Sequence, residues 1–205
     1  MTSARALQRI RMICAALAFA LACGPAHAAS LPTATLHTTA GDIVIELNTA
    51  KAPITANNFI RYAKIGYYDN IIIYRAVPGF LIQMGDETAD GRLKSALFRP
   101  IQLETATGLR HGRGTVSLTH GDSANPNSGD STFYIDLGPN PQLNPSPHAK
   151  PNTTGDAVFG RVIKGMDVVD KIAAAPRKPK KEGGDFPGQE PKTPVVVEKV
   201  VVSGG

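Results

Sequence analysis

Tryptophan is absent from the chain, aromatic residues make up only 6% of it, and its two cysteines, Cys14 and Cys23, both lie near the N-terminus. With no thiol after Cys23, thiol catalysis, redox exchange and thiolate metal sites are excluded from everything that follows. Long apolar runs are also missing. Apart from one stretch at the extreme N-terminus, none approaches the roughly 20 residues that span a bilayer, which excludes a multi-span membrane protein. What is present, 42% apolar and 19% charged residues over 205 positions, matches an ordinary globular protein and excludes disorder throughout.

The N-terminal stretch has the layout of an export signal. Arg5, Arg9 and Arg11 precede an apolar segment from Ile13 to Cys23, and Ala26, His27 and Ala28 form an A-x-A cleavage pattern. The expected boundaries are a signal peptide over 1–28 and one domain over 29–205, with export to the periplasm. A lipoprotein signal modified at Cys23 is the competing reading, but Ala20, Leu21 and Ala22 suit a lipidation site poorly. The segment takes three arginines and no acid with it, so the formal charge falls from +5 to +2. A nearly neutral body offers no electrostatic reason for a nucleic-acid partner. The one basic run, Arg177, Lys178, Lys180 and Lys181, is broken by proline, followed by Glu182 and Asp185, and reads as a solvated loop. A chain of this size buries about 70% of its unfolded surface and needs no disulfides.

Hydrophobic periodicity outlines the remaining elements. Thr33 to Thr38 and Ile43 to Leu47 alternate around Ala40, Gly41 and Asp42, predicting an opening β-hairpin. After Pro53, the positions Ala56, Phe59, Ile60 and Ala63 form one helical stripe that stops at Gly66. Short apolar runs at 71–74, 80–84, 101–103, 115–119, 132–137, 157–162 and 195–202 read as strands. Met166, Val169, Ile172 and Ala173 mark a second helix, and Ala174 to Pro194, rich in proline, lysine and glycine, reads as a loop. Many short strands with two separate helices predict an antiparallel barrel or sandwich with helical caps, not a βαβ array.

The most distinctive segment runs Tyr74, Arg75, Ala76, Val77, Pro78, Gly79, Phe80, Leu81, Ile82, Gln83, Met84, Gly85, Asp86. Strand alternation places Arg75, Leu81 and Gln83 on related faces across the Pro-Gly bend. An arginine in such apolar company needs an orienting partner, and Gln83 is the nearest acceptor.

This segment, Tyr-Arg-x-x-Pro-Gly-Phe-x-x-Gln-x-Gly-Asp, resembles the signature strand of cyclophilin-type peptidyl-prolyl isomerases. Other segments agree in order: Ala52 to Phe59 is similar to the family's first helix, and Arg113 to Leu118 to the strand before its active-site loop. Ser131 to Ile135 is similar to its Ser-Gln-Phe-Phe-Ile, and Ala157 to Val162 followed by Gly165 to Val169 to its later strand and second helix. With the export signal, the chain looks most like the periplasmic bacterial branch.

The resemblance implies a mainly β fold, a closed eight-stranded antiparallel barrel capped by two helices, and a cofactor-free, metal-free rotation about Xaa-Pro bonds. It implies Arg75 and Gln83 as catalytic residues. It implies a substrate site of Phe80, Leu81, Thr119, His120, Thr132, Phe133, Tyr134 and Leu143, with Phe133 more a support beneath the cup. The partners would be proline-containing polypeptides among exported proteins, met by a monomer without stable membrane association. Three positions depart from the family pattern: Thr132 replaces its glutamine, Gln142 an aromatic, and Tyr134 a phenylalanine. The alternative is a weakly catalytic or non-catalytic proline-peptide-binding chaperone on the same fold. A hydrolase built on Ser117, His120 and Asp122 lacks a nucleophile-elbow pattern, and His111, His120 and His148 lack metal-ligand spacing.

Overall fold

The computed structural model describes residues 30–122, 124–180 and 186–204. The expected signal at 1–28, Cys23 and the end of the basic run lie outside the described residues. In chain order the elements are β1 (Thr33–Thr38), β2 (Gly41–Leu47), α1 (Pro53–Lys64), β3 (Ile71–Val77), β4 (Leu81–Thr88), β5 (Thr115–Leu118), β6 (Phe133–Asp136), a 3₁₀ turn (Pro141–Leu143), β7 (Ala157–Lys164), α2 (Met166–Ala174) and β8 (Val196–Ser203).

Alternation builds the hairpin as its sequence requires. Ala34, Leu36, Ile43, Ile45 and Leu47 are fully buried while their strand neighbours are not. The Thr38 hydroxyl ties the turn by donating to the Gly41 carbonyl at 2.6 Å and accepting from the Ala40 N–H at 3.1 Å. In α1 the apolar stripe turns inward, and the Phe59 ring meets Tyr68 and Phe133 at 5.1 Å and Phe159 at 5.3 Å. No side chain near Ala52 caps the helix. Glu104, far along the chain, accepts from the N–H groups of Ile54 and Thr55 at 3.3 and 3.0 Å, placing an anion where the helix dipole and unpaired N–H groups favour one.

The strands close in the order β1-β2-β7-β5-β6-β4-β3-β8, and β8 returns to β1, so both edges of every strand are paired. Closure settles the choice between barrel and sandwich and leaves no sheet edge exposed. The barrel core gathers Ile82, Met84, Val116, Phe133, Ile135 and Phe159 with the buried faces of both helices.

One expected strand is absent. Residues 101–103 form only an isolated bridge, from Ile101 to Gly129. Their apolar side chains do pack, Leu103 being buried. The backbone finds loop partners instead of a ladder: Ile101 N–H donates to the Gly129 carbonyl at 2.9 Å and Leu103 N–H to Asn127 Oδ1 at 2.9 Å. An apolar run signals burial, and the destination of its N–H groups decides whether it is a strand.

Candidate active site

The β3–β4 pairing brings the first site residues together. Ile73 opposes Met84 and Arg75 opposes Gln83, so Tyr74 is an extra residue that bulges out of the ladder. Bulges of this kind re-aim side chains, and here Tyr74 and Arg75 are both only partly buried after three buried isoleucines. The register continues from Gln83 to Tyr134 on β6 and from Tyr134 to Ser117 on β5. Arg75, Gln83, Tyr134 and Ser117 thus form one row across four strands, on the face opposite Met84, Phe133 and Ile135. Gly85 makes the crossing close: at its φ of +150° a Cβ would lie 2.5 Å from the Thr132 Cα, a distance only glycine permits.

Two glutamines hold Arg75. Its Nη1 donates to Gln83 Oε1 at 3.1 Å and its Nε to Gln189 Oε1 at 2.7 Å. The guanidinium lies 4.3 Å from the Phe186 ring and 5.5 Å from the Phe80 ring. No carboxylate pairs with it among the described residues, and burial pushes its pKa down. The charge is balanced by neutral dipoles and ring faces, and three of its five N–H donors have no partner among the described residues.

Below the guanidinium opens a cleft of about 310 Å³, at the lower end of the range of small-ligand sites. Phe80, Leu81, Tyr134 and Leu143 supply its apolar wall, Arg75 and Gln83 one polar side, Thr119 and His120 another, and Gly121, Asp156 and Phe186 complete it. Phe80 is held through its backbone carbonyl, which accepts from Leu137 N–H and Asn140 Nδ2, both at 2.9 Å. Asp156 N–H donates to the Leu143 carbonyl at 3.1 Å, fixing the 3₁₀ turn to the floor.

The floor is polar beneath its rings. The Tyr134 hydroxyl donates to Asp156 Oδ2 at 2.9 Å, and Asp156 Oδ1 lies 2.9 Å from His120 Nδ1. Burial, reinforced by Asp156 and Asp136, pushes the Tyr134 phenol far up, so it remains a donor. Deeper still, His111 Nδ1 lies 3.1 Å from Asp136 Oδ2, with both side chains almost fully enclosed. Asp136 also accepts from the Thr115 hydroxyl and Asn140 Nδ2, each at 2.6 Å.

A clamped cation thus stands above an apolar cup on the outer wall of a closed barrel. The family model described as cyclophilin type peptidyl-prolyl cis-trans isomerase/CLD matches residues 33–202. The chain belongs to this family. Peptidyl-prolyl cis-trans isomerase cyp18 of Streptomyces antibioticus is 40% identical over 174 residues, covering 85% of this chain and 100% of that protein. Peptidyl-prolyl cis-trans isomerase B of Escherichia coli is 37% identical over 169 residues, covering 82% and 98%. A Cryptosporidium parvum cyclophilin type isomerase of known crystal structure shares the fold, with a TM-score of 0.66 at 24% identity over 84% of this chain and 98% of that one. The chain is a peptidyl-prolyl cis-trans isomerase of cyclophilin type.

In this cyclophilin, Arg75, Phe80, Leu81, Gln83, Thr119, His120, Tyr134 and Leu143 all converge on the cleft. Of the residues the resemblance places at the substrate site, two do not line the cleft: Thr132, and Phe133, which was expected more as a support beneath the cup. Phe133 is fully buried in the barrel, because alternation along β6 sends it to the face opposite Tyr134. Thr132 stands against Gly85, and its carbonyl accepts from the Thr119 N–H at 3.0 Å. The Ser117, His120 and Asp122 grouping does not assemble: His120 meets Asp156, and buried Ser117 faces His111 Nδ1, the same nitrogen that meets Asp136. A relay needs both ring nitrogens of one histidine.

Asp156, Phe186 and Gln189 were not among the expected residues. The last two come from the loop between α2 and β8. A single phenylalanine in a polar, proline-rich stretch was the only local signal that this loop packs against anything.

Proposed function

We propose that Arg75 is the catalytic group of this isomerase and that its substrates are proline-containing segments of exported polypeptides, whose folding it assists in the periplasm. The observation that carries the first part is the clamped guanidinium above an apolar cup, with three N–H donors that meet no partner among the described residues. Amide resonance opposes rotation with a barrier of about 18–20 kcal/mol. Twisting the bond localises a lone pair on the prolyl nitrogen. A cation that donates to that nitrogen binds the twisted state better than either planar state, which is what lowers a barrier. Phe80, Leu81, Tyr134 and Leu143 hold the ring while the preceding carbonyl swings, and Gln83 fixes the plane of the guanidinium. Thr119 and His120 border the path of the substrate backbone.

No bond is made or broken in this scheme, so it needs no general base, metal or cofactor. Support for export is the run of Arg5, Arg9 and Arg11, the apolar segment after it, and the small residues Ala26 and Ala28. Among the described residues no helix is long and apolar enough to cross a membrane. The enzyme acts as a monomer, with no nucleic-acid partner and no stable membrane association.

The test is peptide isomerisation, followed by NMR exchange or a protease-coupled assay on an Ala-Pro peptide. Arg75→Ala lowers kcat/KM by about 10²–10³, the range for removing one preorganised donor. Arg75→Lys falls nearly as far, because an ammonium cannot meet two acceptors and present a planar fork at once. A lysine variant within threefold of wild type would refute the orientation argument.

A further inference from the structure

We infer that Gln189 and Phe186, carried on the loop between α2 and β8, are positioning residues of this isomerase that fix the plane and direction of the Arg75 guanidinium. The inference rests on Arg75 being the catalytic group and adds a second chain segment to the machinery around it.

The need for a second clamp follows from arginine's own geometry. The side chain is long and freely jointed, and a single hydrogen bond to Gln83 at Nη1 leaves the planar group free to swivel about that contact. Gln189 accepts from a different nitrogen, Nε, at 2.7 Å, the shorter of the two bonds. Two acceptors on two nitrogens define the plane. The donors at Nη2 and the second Nη1 hydrogen, which meet no partner among the described residues, are thereby fixed in direction.

Phe186 controls the remaining freedom, tilt out of that plane. Its ring lies 4.3 Å from the guanidinium carbon, with Phe80 beyond at 5.5 Å, and both rings line the cleft. Phe186 is itself backed by Tyr74, the bulged residue, whose ring stacks on it at 6.1 Å and 13°.

The loop reaches this place through its backbone, independent of any substrate. The Gln189 carbonyl accepts from the N–H of Ala76, the residue after Arg75, at 2.7 Å, and Gln189 N–H donates to the Phe186 carbonyl at 3.0 Å. This extends along β3 the pairing that β8 begins at Ile71 and Ile72 and that Val195 continues at Ile73. The two limbs of the loop are joined where Lys178 N–H meets the Glu190 carbonyl at 2.9 Å and Lys192 N–H the Pro176 carbonyl at 2.7 Å. A Lys178–Glu190 ion pair adds to the same neck.

The chemistry of the clamp is as informative as its position. Both acceptors are neutral amides. They orient the cation without cancelling its charge or occupying its fork, as a bidentate carboxylate would.

The test is a double-mutant cycle on peptide isomerisation with Arg75→Ala, Gln189→Ala and the double variant, with Phe186→Leu in parallel. Gln189→Ala lowers kcat about 5- to 30-fold, less than the full loss of one charge-assisted bond because Gln83 still holds Nη1, with KM changed less than about twofold. In the Arg75→Ala background the same substitution has no further effect, since it acts through the missing group. Phe186→Leu lowers kcat in the same way. The Arg75 Nε–Hε resonance, distinct and slow to exchange in wild type, moves to the position of solvent-exposed arginines in Gln189→Ala while the circular dichroism is unchanged. If Arg75→Ala is inactive but Gln189→Ala keeps wild-type kcat, or lowers residual activity equally without Arg75, the positioning role is overturned. If Arg75→Ala itself retains turnover, the reading beneath it falls as well.

Discussion

Replacing Tyr134 with phenylalanine removes one oxygen from the floor of the cleft and separates the ring's work from the hydroxyl's. That hydroxyl donates to Asp156 Oδ2 at 2.9 Å, while its 3.5 Å approach to His111 Nδ1 is too long to count. A hydrogen bond to a charged group contributes roughly 1.5–3 kcal/mol, the full value applying when its loss strands a buried partner. Asp156 is not stranded: its side chain is 16% exposed and keeps His120 on the other oxygen, so water reaches the vacated position. The expected loss is therefore at the low end, about 1–2 kcal/mol, or a fall in Tm of roughly 2–8 °C for a domain of this size.

If the ring alone forms the cup, Tyr134→Phe changes kcat/KM less than about twofold. Tyr134→Ala, which removes the ring, costs about 3–5 kcal/mol of stability and raises KM steeply. Thermal unfolding by circular dichroism and isomerisation of one Ala-Pro peptide read the two quantities separately. Combining Tyr134→Phe with Asp156→Asn should give less than the sum of the single losses, because the two changes delete one bond. An unchanged Tm would show that the bond adds nothing, and a tenfold fall in kcat/KM would show that the hydroxyl acts on substrate.

Two other predictions concern the whole chain. Burial pushes the phenols of Tyr68, Tyr74 and Tyr134 above their ordinary value of 10.0. Below that value both folded and unfolded forms keep these protons. Above it only the unfolded chain releases them, so stability declines as pH rises past about 10, and an absorbance titration at 295 nm should show these tyrosines ionising together with unfolding. Gradual ionisation of all five in a folded protein would contradict their enclosure. Export, if the N-terminal reading holds, removes residues 1–28 and leaves a thiol-free enzyme beginning at Ala29; mass spectrometry of the protein from its host decides this, and a retained or lipid-modified Cys23 would overturn it.

How much of this was legible in the sequence depended on the range of the interaction involved. The hairpin at Ala40 to Asp42, the stripe of α1 and the approach of Arg75 to Gln83 across a Pro-Gly bend are short-range consequences of side-chain period, and the linear pattern carries them. Alternation along β6 is equally local, but one position decides whether a ring enters the core or the cleft. Phe133 and Tyr134 differ by that one step. The apolar run at 101–103 misled because burial and strand pairing are separate requirements, and its N–H groups found loop acceptors.

Nothing local could have shown that Glu104 caps α1, that Asp156 joins Tyr134 to His120, or that Gln189 meets Arg75 from 114 residues away. Periodicity specifies which face of a strand a side chain occupies. It does not specify which loop will cover that face. That is decided by barrel closure, which sets β3 beside β8 and so brings the chain preceding β8 alongside Arg75, where a backbone bond to Ala76 and two side chains complete a clamp that the sequence alone assigned to Gln83.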